Sequence, residues 1–147
     1  MKILSLIASL LLTGVVFSFS AQSGEASGSS SLSIAITIQS LLEHIFPQLD
    51  IPLETLHPVL RKGAHVMLYF LLGLSWTVTL CLLRARIPYI FLLGLMIALI
   101  DEGIQSIVPE RGPSVVDVFL FDFPGYTLGS GLMLMVRSVH RRKNISS

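Results

Sequence analysis

The chain has 147 residues, enough for one ordinary domain. Apolar residues make up 52% of it and charged residues 13%, with a mean hydropathy of +0.78; a soluble domain carries about 25% charged residues, so the composition excludes a water-soluble globule. A net charge of +1, with the basic residues at segment ends, excludes a nucleic-acid binder, and a single cysteine, Cys81, excludes an intrachain disulfide.

Four apolar runs have the length of a membrane-crossing helix, about 20 residues. Within lipid they are helical, because an exposed strand would leave its backbone polar groups unpaired. The first is Ile3 to Phe19. It reads as a retained helix or as a secretory signal: Lys2 supplies a positive start, and Ser18-Phe19-Ser20 before Ala21 fits a small-residue cleavage site. Its 17 residues exceed the 7–15 of a signal's apolar core, which favours the retained helix. A segment from Ser20 to Gly63 comes next, opening with a Ser/Gly-rich stretch (21–31) of flexible-linker composition. Ile34, Ile38, Leu41, Leu42 and Ile45 then recur at helical spacing, and Leu32 to Phe46 is predicted as an amphipathic helix on the outer membrane face. Pro47, Pro52 and Pro58 are expected to break the remainder into short pieces.

The second run is Ala64 to Leu83, the third Ile87 to Val108 and the fourth Val115 to Val136. Pro88 suits the first turn of the third helix; Pro109 and Pro113 mark the turn after it, and Pro124 is expected to kink the fourth. The fold class is thus an all-α membrane protein of four transmembrane helices plus an outer amphipathic helix, forming a single domain. With the amino terminus cytoplasmic, the inner segments hold Lys2, Arg84, Arg86, Arg137, Arg141, Arg142 and Lys143, and the outer ones Arg61, Lys62 and Arg111. The positive-inside rule then places both termini in the cytoplasm. The terminal Arg-Arg-Lys run reads as an orientation anchor that touches anionic lipid. Gly125-x-x-x-Gly129 and Gly94 with Ala98 point to close packing among the chain's own helices. Trp76 and Cys81 read as core or lipid-facing residues, and His44, His57 and His140 as surface residues.

Ionisable residues inside membrane spans are costly, and each is a functional hypothesis. Here they gather on one side, the outer one. Lys62 and His65 open the second helix; Asp101, Glu102 and Gln105 end the third; Arg111 lies in the turn; Asp117 begins the fourth. Lys62 with His65 and Asp101 with Gln105 each share a helix face, and Tyr69 comes one turn after His65. A cluster of both signs should face inward, between helices. It can be a buried network that pins helix ends together, or a site. In a site, a histidine such as His65 exchanges protons near neutral pH, Asp101 and Glu102 serve as acid or base, and Lys62 and Arg111 hold a phosphate or carboxylate. No nucleophile motif accompanies the catalytic candidates His65, Asp101 and Glu102. One histidine with carboxylates suits a hard cation, but without a His-x-x-x-His or cysteine pair no metal is expected, and no other cofactor.

These residues together resemble the VanZ-like family of small bacterial membrane proteins. The resemblance rests on Arg61-Lys62-Gly63-Ala64-His65 leading to Tyr69-Phe70, on Asp101-Glu102-x-x-Gln105, and on Pro109-x-Arg111-Gly112-Pro113-Ser114-x-x-Asp117. Gly125 with Gly129 and the Phe19-Ser20-Ala21-Gln22-Ser23-Gly24 stretch complete it and favour the retained first helix. The resemblance implies a connection to teicoplanin-type glycopeptide resistance and no established reaction. The family usually places a second polar residue one turn after the aspartate, whereas Asp122 is five residues beyond Asp117, about 140° away on a regular helix at 100° per residue. Asp122 therefore joins the face only if Pro124 distorts the register. The leading functional expectation is that Lys62, His65, Asp101, Glu102, Gln105, Arg111 and Asp117 bind an anionic or amphiphilic ligand at the outer leaflet. Membrane lipid is the expected neighbour, and a lipid-linked envelope precursor or a lipoglycopeptide the expected ligand class. The alternatives are a membrane hydrolase or transferase and a structural protein whose network only locks the helices.

Overall fold

A computed structural model of the chain describes residues 1–48, 51–112 and 114–146, side chains included as far as residue 142, and these are helical with no strand among them. α1 (Lys2–Ser20), α3 (Leu53–Leu82), α4 (Ile87–Ser106) and the stretch Val115–Arg142 are each long and apolar enough to span a bilayer, as the four apolar runs predict. That last stretch comprises the short α5 (Val115–Asp117), a π-helical turn (Val118–Asp122) and α6 (Phe123–Ser146). The chain is a multi-pass membrane protein. Its outward faces carry Leu10, Met67, Leu92 and Leu128, exposed apolar side chains suited to lipid. The core is a thin column of Val16, Tyr69, Leu72, Trp76, Ile90, Ile97, Ala98, Val118 and Tyr126 between the spans.

Two expectations for the segment between the first spans are corrected. α2 runs from Gly24 to Ile45, so the Ser/Gly-rich stretch is helix and not linker. Ser23 caps it by accepting from the Ala26 N–H at 3.2 Å, and Glu25 sits in the first turn, where a negative charge suits the helix dipole. The hydroxyls of Ser29, Ser31, Ser33, Thr37 and Ser40 fold back on carbonyls three or four residues earlier, so these polar residues place no demand on solvent. Nor do the prolines fragment the approach to the second span. Pro52 is the N-cap of α3, and Pro58 lies inside that helix without ending it. A proline in the second turn removes one backbone bond, and α2 holds the turn from outside: Ser31 Oγ is 2.7 Å from His57 Nε2, and Gln39 Nε2 donates to the Ile51 carbonyl at 2.9 Å.

α1 is joined to α3 by a polar stripe that hydropathy conceals. Ser5, Ser9 and Thr13 recur every fourth residue, on one face of the helix. Ser9 Oγ lies 2.8 Å from Ser75 Oγ and 2.9 Å from Thr79 Oγ1, Ser5 Oγ lies 2.5 Å from Thr79 Oγ1, and Trp76 Nε1 donates to Thr13 Oγ1 at 3.0 Å. In lipid such bonds between helices contribute about 0.6 kcal/mol each. α3 and α6 meet through glycines, as the small-residue spacing predicts. Gly125 lies against the Val66 backbone, Gly129 against Phe70 and Gly73 against Tyr126, while Gly94 of α4 seats the Tyr126 ring.

α3 ends in a Schellman turn, with Arg84 N–H donating to the Cys81 carbonyl and Ala85 N–H to that of Leu80. Arg84 occupies the left-handed position, φ 63°, which glycine usually fills. Arg84→Gly should therefore raise stability by about 0.5–1 kcal/mol, read as a higher thermal midpoint in detergent; an unchanged or lower midpoint would show that the arginine side chain outweighs the backbone strain.

Candidate functional site

At the end of the bundle remote from the termini, α3, α4 and the α5–π junction enclose a cavity of about 260 Å³. Lys62, His65, Glu102, Gln105, Asp117 and Asp122 line it, together with Arg61, His57 and Glu110. Six polar residues are thus brought to one place by local geometry: a three-residue step on α3 for Lys62 and His65, a three-residue step on α4 for Glu102 and Gln105, and a change of helix type for Asp117 and Asp122.

That change answers the question of register. Pro124 has no N–H to give the Leu120 carbonyl, and its ring crowds that carbonyl. The backbone responds by widening to a π-turn, in which the Phe123 N–H reaches the Val118 carbonyl five residues back. With i→i+5 closure each residue turns through a smaller angle than in an α-helix, so the offset of about 140° narrows, and Asp122 lines the pocket together with Asp117.

The site has an open half and a buried half. In the open half, Lys62 Nζ is 3.1 Å from Asp117 Oδ1 and 4.4 Å from the centre of the Phe121 ring, with both charged side chains substantially exposed. An ion pair so wet contributes under about 1 kcal/mol, so Lys62 is free to exchange partners. Glu102 accepts a hydrogen bond from the Ser114 N–H and so ties α4 to the start of α5. In the buried half, His65 Nδ1 lies 3.4 Å from Asp122 Oδ1. Asp101 is wholly enclosed; its Oδ2 accepts from Gln105 Nε2 at 3.2 Å, while its Oδ1 has no partner among the described residues. Donor atoms of His65, Asp101 and Asp122 all lie within 4.8 Å of one another, a grouping that sequence spacing alone does not reveal. Gln105 Nε2 also reaches Ser20 Oγ, at 3.5 Å, so the end of α1 closes the back of the site.

Arg111 does not face the pocket. It is nearly buried, with Nη2 donating to the Phe19 carbonyl at 2.5 Å and Nε to the Gln22 carbonyl at 3.1 Å. The last carbonyls of a helix have no partner within it and carry partial negative charge; the guanidinium forks across one of these, Phe19, and the Gln22 carbonyl just beyond the helix. Burial draws the Arg111 pKa below its ordinary value, nearby Arg61 adds to this, and Asp101 and Glu102 oppose it. Beside this clamp, Gly24 packs directly on the Glu110 backbone and its N–H donates to the Pro109 carbonyl at 3.2 Å. Arg111 thus stands off the pocket wall, with Nε and Nη2 turned to the end of α1 and Nη1 without a partner among the described residues.

Sequence reasoning also gave the site neither Ser20, read in a cleavage-site pattern and in the family-like stretch after the first span, nor His57, read as a surface residue. Ser20 offers as its one signal a small polar residue at the end of an apolar run. His57 precedes Pro58 on a stretch expected to be irregular, so nothing placed it on the helix that carries Lys62.

No curated protein and no solved structure matches the chain. The VanZ/LLP1 family model does, over residues 5–137, which takes in all four spans and every residue of the pocket. The chain belongs to the VanZ/LLP1 family.

Proposed function

We propose that the pocket binds the polar head of an amphiphile at the extracytoplasmic face of the bacterial cytoplasmic membrane, a lipid-linked envelope precursor or a lipoglycopeptide antibiotic of the teicoplanin type. The observation that carries this reading is the wall of the cavity. Arg61 and Lys62 offer donors to a phosphate or carboxylate, and Glu102, Glu110 and Asp117 offer acceptors to hydroxyl or ammonium groups. Val59 and Val115, Val116 and Phe119, close in sequence to lining residues, are exposed and apolar, a surface for acyl chains beside the charged mouth. The excess of basic residues at the opposite end, Lys2, Arg84, Arg137 and Arg141 around a second cavity, supports the orientation with both termini cytoplasmic.

The test is binding of a fluorescent undecaprenyl-phosphate-linked sugar and of teicoplanin to purified protein in detergent. Arg61→Gln with Lys62→Gln should weaken binding by about tenfold or more, the loss of one or two charge-assisted hydrogen bonds, and should shift teicoplanin sensitivity of expressing cells in parallel. Binding that ignores both substitutions in a protein of unchanged stability sinks the reading. A catalytic reading is favoured by one observation, the His65 imidazole backed by Asp122 in the manner of an oriented base. In that case His65→Gln abolishes turnover of the bound amphiphile while leaving its affinity within a few-fold.

A further inference from the structure

Two buried aspartates and one histidine meet at the floor of the pocket. Among the described residues the ion pairs are Lys62 with Asp117 and His65 with Asp122. Arg111 is committed to the carbonyls of Phe19 and Gln22. Asp101 and Asp122, both buried, are gathered around the one imidazole of His65, and among the described residues no cationic side chain lies within ion-pair distance of Asp101. Uncompensated charge at such a depth is strongly disfavoured. One buried carboxylate oxygen, Asp101 Oδ1, is also without a partner at this spot among the described residues.

We propose that His65, Asp101 and Asp122 together hold a divalent transition-metal cation at the floor of the pocket. The donors are one imidazole nitrogen and two carboxylate oxygens, a mixed set that suits zinc and its first-row neighbours more than magnesium or calcium. Donors about 2.1 Å from a tetrahedral ion stand about 3.4 Å from each other, and His65 Nδ1 and Asp122 Oδ1 are 3.4 Å apart. The third donor lies within 4.8 Å of both, a distance that small side-chain rotations close. The free Oδ1 of Asp101 supplies the missing ligand atom, while Gln105 holds Oδ2 from behind, as ligating carboxylates are commonly held. Three protein ligands leave a fourth position, which opens toward the cavity lined by Glu102 and Lys62. The ion neutralises the two aspartates and gives the orphaned oxygen a partner. Metal binding of this kind goes beyond amphiphile binding and stands without it, because all three ligands are protein groups.

The full chain, purified in detergent, stripped with EDTA and dialysed, is titrated with Co²⁺ as a spectroscopic probe and then with Zn²⁺ as competitor. One Co²⁺ per chain should bind, with visible absorption of a low-coordinate site that Zn²⁺ erases. Asp122→Asn and His65→Gln should each weaken Zn²⁺ by more than about tenfold. Asp117→Asn, in the same pocket but paired to Lys62, should stay within threefold. Saturating Zn²⁺ should raise the thermal midpoint of the native chain and not that of Asp122→Asn. Absence of stoichiometric Co²⁺ binding to the native chain overturns the proposal, and shows that a shared proton settles the charge instead. Equal loss in Asp117→Asn overturns it as well, by pointing to diffuse attraction at the pocket mouth. Should Asp122→Asn fail to fold, the native titration and His65→Gln decide alone.

Discussion

Gly129→Ala should lower the stability of the protein in detergent by about 3 kcal/mol, the upper part of the range for overpacked interiors. A Cβ at this position would stand 2.0 Å from the Phe70 carbonyl oxygen, 2.9 Å from its carbon and 3.1 Å from the Leu74 nitrogen. All three are backbone atoms of α3, so no side-chain rotation makes room and the two helices must separate. Gly131, two residues on, has nothing within 4 Å of the same added atom. Gly131→Ala should therefore be neutral or stabilising by up to about 1 kcal/mol, since alanine is the better helix former. Thermal midpoints of the pair are the check, and equal effects would show that α3 and α6 do not approach this closely. The loss should extend to function, because the same seam carries Gly125 against Val66, one residue from His65.

Arg111→Ala is the second large effect, a loss of about 3 kcal/mol. Each hydrogen bond from a charged donor contributes about 1.5–3 kcal/mol; two are lost here, at Phe19 and Gln22, although the Phe19 carbonyl keeps the Gln22 N–H. Water entering the space would recover part of the deficit. Arg111→Lys should recover only a part too, because an ammonium on a flexible stem does not reproduce the planar fork. Chemical denaturation of both variants measures the difference. Loss of ligand binding with stability intact would return Arg111 to the pocket, where its charge alone first suggests it belongs.

How far the sequence could be read depended on the kind of cause behind each feature. The four spans were legible because apolar runs of this length are what a membrane-crossing helix requires. Lys62, His65, Asp101, Glu102, Gln105 and Asp117 were legible as a group because each lies near a span end on the same side. Arg111 was not, because its partners are the backbone carbonyls of Phe19 and Gln22, and a carbonyl carries no residue identity. Asp122 was readable only as far as the condition attached to it, a register change at Pro124; the π-turn that supplies it is a property of the whole helix. α2 was hidden by composition: serines that signal a linker in water fold back on their own helix here. The metal-like grouping was invisible for a related reason, as its three residues come from three helices and show no common spacing.

The length of α3 bears on how the proposed amphiphile would reach the pocket. Its 30 residues extend about 45 Å, against a hydrocarbon slab about 30 Å thick, so an upright α3 that buries its apolar carboxyl-terminal part must carry its first three turns out among the phospholipid heads. Arg61 and Lys62 then stand level with those heads, and His65, Asp101 and Asp122 a few ångströms beneath. An incoming molecule need not leave the leaflet to be captured: it can slide in sideways, its tail never losing contact with its neighbours. Affinity measured in water alone should therefore understate what the protein achieves in a bilayer.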